Sequence, residues 1–90
     1  MLYIVDCCRD FTIIHRIDYD EGEYLMPLRF KGYLHDQATD LLKAMHKDKC
    51  SKIIFDKMGI GIGLHDVFEQ RVSHYQSTIT VDENGNVKYY

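Results

Sequence analysis

The sequence predicts one small α/β domain, with an α+β mixed sheet and the element order βββαβαβ. Two observations predict this class: the first third of the chain is rich in strand-forming residues, and two later segments repeat apolar residues at helical spacing. The chain has 90 residues, 46% of them hydrophobic, and only one proline. Such a composition is typical of an ordered globular chain, and we treat residues 1–90 as a single domain.

Three strands are predicted before the first helix. Residues 2–5 are apolar and residues 11–17 are rich in β-branched and aromatic types, with the polar segment DCCRD between them, which predicts a β-hairpin. A third extended segment, YLMPLRFKGY, follows the acidic turn DYDEGE. Because Pro27 cannot donate a hydrogen bond to a ladder, this strand is predicted to lie at an edge or to contain a bulge.

Helical spacing begins after Asp36, which is predicted to be an N-cap, and predicts a helix over residues 35–48. The apolar positions of this helix are Ala38, Leu41, Leu42 and Met45, and those of a second helix are Leu64, Val67, Phe68 and Val72. Between the helices, KIIFD is typical of a strand inside a sheet covered on both faces. The tail STITVDENGNVKYY alternates and contains Asn84-Gly85, which predicts a strand that turns into a final short one.

Two carboxylates occupy the ends of predicted strands. Asp6 closes the first apolar run and Asp56 closes KIIF, so the two acids meet if these strands are neighbours. Mg²⁺ and Mn²⁺ prefer hard oxygen ligands, and two such ions about 3.5–4 Å apart activate water and stabilise the leaving oxygen of a phosphodiester. We therefore predict Asp6 and Asp56 as metal ligands and catalytic residues, with Asp10 and Asp82 as candidates for an additional acid.

Simpler interpretations of the same residues stay open. Asp56 is equally suited to cap the turn or helix that follows it, and Asp6 is a common residue type around a hairpin turn. The segment after Asp56 contains three glycines, which allow a sharp turn and close packing of the next helix on the sheet without any ligand. These turn glycines are Gly59, Gly61 and Gly63.

A dinucleotide site is a competing interpretation of the glycines. Asp82 or Glu83 follows them by about 20 residues, where a ribose-binding acid would lie. The glycine spacing is GxGxG rather than GxGxxG, however, and Asp56 would place negative charge near a pyrophosphate. A zinc site is disfavoured because the five histidines are scattered and two of the three cysteines are adjacent.

The element order and the placement of the acids are those of a ribonuclease H-like fold. FDKMGIGIGLHDVF resembles a segment of the nuclease domain of phage terminase large subunits, and IVDCCRDFTII resembles the first motif of that domain. The resemblance covers residues 2–72 and implies a Mg²⁺- or Mn²⁺-dependent endonuclease with Asp6 and Asp56 as ligands. Two features depart from the family: these residues contain no Walker-type GxxxxGK[ST], and only Asp82 and Glu83 remain as candidates for its third acid.

Composition limits the expected partners and compartment. The net charge of -3 and the pI near 5.9 argue against a strongly basic nucleic-acid clamp, although nucleic acid remains the expected substrate. No apolar stretch approaches the ~18–20 residues of a membrane span, so we expect a cytoplasmic protein with no membrane partner. The alternative function is a non-catalytic binding module of the same fold, a homo-oligomer that binds a phage or host protein or a small ligand.

Overall fold

The computed structural model describes residues 1–8, 11–56, 61–75 and 78–90. In chain order, the elements are β1 (Leu2–Cys7), β2 (Phe11–Asp18), β3 (Glu23–Lys31), α1 (Leu34–Asp48), β4 (Lys52–Phe55), α2 (Gly61–His74), β5 (Ile79–Val81) and β6 (Val87–Tyr89). Four strands form one mixed sheet and two form a separate hairpin. The mixed α+β class predicted from the sequence is confirmed.

The four-stranded sheet has the order β3-β2-β1-β4. β1 and β2 pair antiparallel, as do β2 and β3, whereas β4 runs parallel to β1. The predicted hairpin and the predicted edge position of the third strand are both confirmed. A register shift places Ile14 opposite Leu28 and Arg16 opposite Leu25, so the extra residue of the bulge lies in β3 near Pro27.

Helix α1 begins two residues before the predicted N-cap. Its N-cap is Tyr33, which makes no side-chain cap hydrogen bond, and Asp36 lies in the first turn. The N-cap prediction for Asp36 is therefore wrong, although a carboxylate in the first turn still interacts favourably with the positive end of the helix dipole. The helix ends at Lys49, whose φ of 53° is left-handed and whose N–H donates to the Met45 carbonyl.

The core lies between the two helices and one face of the sheet. Tyr3 is fully buried there, and its hydroxyl contacts the Ala44 carbonyl oxygen and the Asp48 carboxylate, which also pairs with Arg16 at 3.1 Å. The other members of this core include Val5, Ile14, Leu41, Met45, Ile53, Leu64, Phe68 and Ile79. Both predicted apolar stripes thus contribute to a single core.

Strand β4 differs from its prediction. It lies at an edge of the four-stranded sheet, and its Ile54 is 43% exposed whereas the preceding Ile53 is 3% exposed. The prediction of a strand covered on both faces is therefore wrong. Successive residues of a strand point to opposite faces: Ile53 belongs to the core and Phe55 packs against it, whereas Ile54, which lies between them, faces away from the core.

The predicted C-terminal hairpin is confirmed: β5 and β6 pair antiparallel, with Ile79 opposite Tyr89 and Val81 opposite Val87. Its loop contacts β4, where the Ile53 N–H donates to the Gly85 carbonyl at 2.8 Å. Gly85 has a φ of +85°, and a Cβ at this position would lie 2.1 Å from the Ile53 oxygen, so only glycine fits. Within the described ranges, no helix has the length and apolar character needed to cross a membrane.

Candidate metal site

Asp6 is the second-last residue of β1, and Asp56 directly follows the last residue of the neighbouring strand β4. The parallel ladder between β1 and β4 ends with Val5 opposite Phe55, and the Asp56 N–H donates to the Val5 carbonyl at 3.0 Å. Neighbouring strands are about 4.8 Å apart, so the backbones of the two acids are adjacent at this edge of the sheet. Asp6 is half-buried and Asp56 is exposed.

Asp6 lies on the sheet face that points away from the helices, because it alternates with the buried residue Val5. On that face the register places Asp6 beside Ile13, and Ile13 beside Arg29. The Arg29 guanidinium lies 3.9 Å from the centre of the Phe11 ring, and Phe11 in turn pairs with Lys31. Arg29 and Lys31 therefore lie on the same sheet face as Asp6. Two strand spacings separate the backbones of Asp6 and Arg29, a distance of about 10 Å.

The negative charges of Asp6 and Asp56 both affect the pKa of the nearby Cys7 thiol. Burial raises the pKa of the Cys7 thiol, and the negative charges of Asp6 and Asp56 raise it further, while a contact with the Thr12 hydroxyl at 3.7 Å acts in the opposite direction. Both carboxylates thus lie close enough to one thiol to affect its ionisation. Cys7 is a neutral thiol at physiological pH and is poorly suited to act as a nucleophile.

The two candidates for an additional acid fall elsewhere. Asp10 lies outside the described residues. Asp82 lies in the loop between β5 and β6, where its carboxylate accepts hydrogen bonds from the backbone N–H groups of Asn84 and Asn86, each at 2.9 Å, and from the Asn86 side chain at 3.1 Å. These hydrogen bonds lower the pKa of Asp82, and those from Asn86 have the largest effect. They also hold the Asp82 carboxylate within its own loop.

The turn glycines are only partly described. Gly59 lies outside the described residues, and Gly61 is the first residue of α2. A Cβ at Gly63 would lie 3.3 Å from the Cδ1 atom of Leu34, so this glycine allows α1 and α2 to approach closely. The close packing expected of a glycine is therefore between two helices rather than between helix and sheet.

The hairpin also bears on the dinucleotide interpretation. Such a site needs a parallel strand-helix-strand unit, with the second strand beside the first. In the described part of the chain β5 pairs with β6 in a separate sheet and not with β4. The interpretation therefore loses its structural basis.

Sequence reasoning missed a side-chain cluster on α2. His65 Nδ1 lies 3.8 Å from an Asp66 oxygen, and His65 Nε2 lies 3.3 Å from a Glu69 oxygen. One ligand atom from each residue falls within 4.8 Å of the others, and both carboxylates are largely exposed. The i,i+4 spacing of His65 and Glu69 was the available signal. The Asp66 and Glu69 carboxylates thus lie closest to different nitrogens of the His65 ring, which is itself mostly buried.

Comparison with known proteins identifies no relative: no family model matches the chain, and no curated protein or solved structure matches it.

Proposed function

We propose that this chain is a ribonuclease H-like nuclease domain, similar to that of phage terminase large subunits, which cleaves nucleic acid with Mg²⁺ or Mn²⁺ bound by Asp6 and Asp56. One observation carries the proposal: the hydrogen bond from Asp56 N–H to the Val5 carbonyl, at the end of a parallel ladder, sets the two acids side by side. The sheet order β3-β2-β1-β4, with α1 linking β3 to β4, supports the same fold.

The residues around the acid pair fit a phosphodiester substrate. A divalent ion at this position would polarise the phosphate and lower the pKa of a bound water. Asp6 and Asp56 would hold that ion through their carboxylate oxygens, the ligands that it prefers. Arg29 and Lys31, on the same sheet face as Asp6, would bind neighbouring phosphates and offset the negative charge of the domain.

Two carboxylates are sufficient for one ion and leave a second ion weakly held. Because the oxygens of Asp82 already accept three hydrogen bonds in their own loop, this residue is poorly placed to complete the set. We infer that a second ion binds only when substrate phosphates, or an acid from another subunit, complete its ligand shell.

Cleavage of a supercoiled plasmid in Mn²⁺ tests the proposal. We expect the wild type to nick the plasmid, and Asp6→Asn or Asp56→Asn to reduce the rate about 100-fold or more, since metal-ion catalysis is worth several kcal/mol. Asp20→Asn, at an exposed turn position, removes the same charge and should leave the rate unchanged. No nicking by the folded wild type, or an equal loss in Asp20→Asn, would contradict the proposal.

A second candidate function, a non-catalytic self-associating module, is favoured by the surface of β3. This edge strand exposes 62% of Tyr24 and 81% of Met26, and the outer edge of a sheet is a template for pairing with another copy. The Arg16 guanidinium donates to the Met26 carbonyl, so pairing would involve the rest of the edge. Light scattering of wild type and Met26→Lys over a range of concentrations distinguishes the outcomes. Mass rising to twice 10.6 kDa in the wild type alone supports self-association, whereas a constant 10.6 kDa removes it.

A further inference from the structure

A groove of about 590 Å³ opens between β4, α2 and the loop that joins β5 to β6. Its floor is apolar and is formed by Ile53, Phe55, Phe68, Val72 and Val81. Phe55 packs against Phe68 with ring centres 5.0 Å apart, which fixes the floor between strand and helix. The groove lies next to the strand end that carries Asp56, but it contains neither acid of the candidate metal site.

The rim of this groove is acidic. Glu69 lines it from α2, and Asp82 and Glu83 line it from the loop, while no lysine or arginine is found among its described lining residues. Asp82 is committed to the loop by its hydrogen bonds, and one oxygen of Glu69 lies 3.3 Å from the His65 ring. Because the Glu69 side chain is largely exposed, an occupant can pair with Glu83 and can compete with His65 for Glu69. An apolar floor with an acidic rim is complementary to a chain that carries both apolar and cationic side chains.

The edge of β4 is open within the groove. The N–H groups of Lys52 and Asp56 point towards β1, where they donate to Met1 at 3.4 Å and to Val5 at 3.0 Å. The backbone N–H and carbonyl groups of the alternate residues Ile53 and Phe55 therefore point away from β1, towards the open edge of the sheet. The hairpin loop satisfies the Ile53 N–H, but among the described residues the backbone groups of Phe55 have no backbone partner.

We propose that this groove binds an extended peptide rich in lysine or arginine, which adds as a strand beside Phe55. Main-chain hydrogen bonds to the Phe55 N–H and carbonyl would fix its direction, and its alternate side chains would contact the apolar floor. Its cationic side chains would pair with Glu69 and Glu83 at the rim. This inference is independent of the nuclease proposal, since it uses neither Asp6 nor Asp56.

The first test uses a capped peptide of three Lys-Val repeats, titrated into ¹⁵N-labelled protein at low salt. We expect amide shifts at Ile54, Phe55 and Glu83, and none from a matched Glu-Val peptide. A Lys-Val peptide with N-methylated valines should bind about five-fold or more weakly, because it loses strand-pairing donors. Equal binding of the Glu-Val or N-methylated peptide, shifts confined to another surface, or no shifts at all would overturn the proposal.

The second test removes the rim charges one at a time. Glu69→Gln and Glu83→Gln should each weaken binding of the Lys-Val peptide about two- to five-fold, which is the range expected for exposed ion pairs. Glu21→Gln, in the exposed turn before β3, is the matched control and should bind like the wild type. If all three variants lose affinity equally, the peptide senses only the overall charge of the protein and the groove is not its site.

Discussion

The backbone N–H of Asp56 donates to the carbonyl oxygen of Val5 at 3.0 Å, and this hydrogen bond joins the ends of two parallel strands. Because the bond is made by the backbone, it does not require the Asp56 side chain. Substitution of Asp56 or Asp6 by asparagine should therefore leave the strand ends in place while changing the charge between them. This separation of fold from charge makes the candidate site testable.

Metal binding should stabilise the folded protein through these acids. At ten times its dissociation constant, an ion that binds only the native state adds about 1.4 kcal/mol, or about 5–10 °C in Tm for a domain of this size. We expect this rise with Mn²⁺ in the wild type and in Asp20→Asn, and not in Asp56→Asn. Thermal unfolding followed by circular dichroism measures it, and an equal rise in Asp56→Asn would place the ion elsewhere.

The neighbouring residues Ile53 and Ile54 should respond very differently to truncation. Ile53 is 3% exposed within the core, so Ile53→Ala should lower the free energy of unfolding by about 2–5 kcal/mol. Ile54 is 43% exposed, so Ile54→Ala should cost about 1 kcal/mol or less. Urea unfolding of the two variants compares the faces of β4 directly, and equal losses would mean that both faces are covered.

Gly85 should tolerate alanine far less well than Gly22. Both residues have positive φ, +85° and +65°, and in the described part of the chain nothing lies within 4 Å of a Cβ at Gly22. Gly22→Ala should therefore cost only the backbone strain of about 1–2 kcal/mol. Gly85→Ala adds a clash with the Ile53 oxygen and should cost more, with loss of the contact between the hairpin and β4. Similar unfolding free energies for both variants would contradict this account of the loop.

Raising the pH should weaken the fold through Cys50. Burial raises the pKa of this thiol from its ordinary value of 9.0 to about 11, so the folded state holds the proton more tightly than the unfolded state. The resulting stabilisation is complete below about pH 9 and is lost as the pH rises through about 11. Burial also raises the pKa of Tyr3 and Tyr89, which act in the same direction.

A Cys50→Ala variant isolates the thiol from these tyrosines. Urea unfolding at about pH 8 and about pH 10.5 should show a larger loss of stability in the wild type than in Cys50→Ala, because only the wild type has a Cys50 thiol, which loses its proton more readily in the unfolded state than in the folded state. Equal losses in both proteins would show that Cys50 does not contribute to the pH dependence.

The local elements were predictable because each has a clear apolar period. The stripe from Ala38 to Met45 specifies α1, the stripe from Leu64 to Val72 specifies α2, and Asn84-Gly85 marks the hairpin turn. The placement of Asp6 and Asp56 at strand ends also follows from the apolar runs that precede them. These features depend on residues close together in the chain.

The features that sequence did not predict depend on residues far apart in the chain. KIIF has the same apolar pattern whether its strand is central or at an edge. Among the residues that the structure describes, the hairpin pairs with β4 only at the start of the strand, which leaves β4 at an edge of the four-stranded sheet. The groove over Phe55 combines β4 with Glu69 and Glu83, which no local pattern connects. Helix α1 begins before Asp36 because Tyr33 already has the extended backbone of an N-cap.

The most direct test of the candidate site is paramagnetic broadening of ¹⁵N-labelled protein by substoichiometric Mn²⁺. The account predicts that amide signals of residues 5–7 and 55–56 broaden first, and that Asp6→Asn or Asp56→Asn abolishes this selective effect. Broadening centred instead on His65, Asp66 and Glu69, or spread evenly over the acidic surface, would contradict a metal site formed by Asp6 and Asp56.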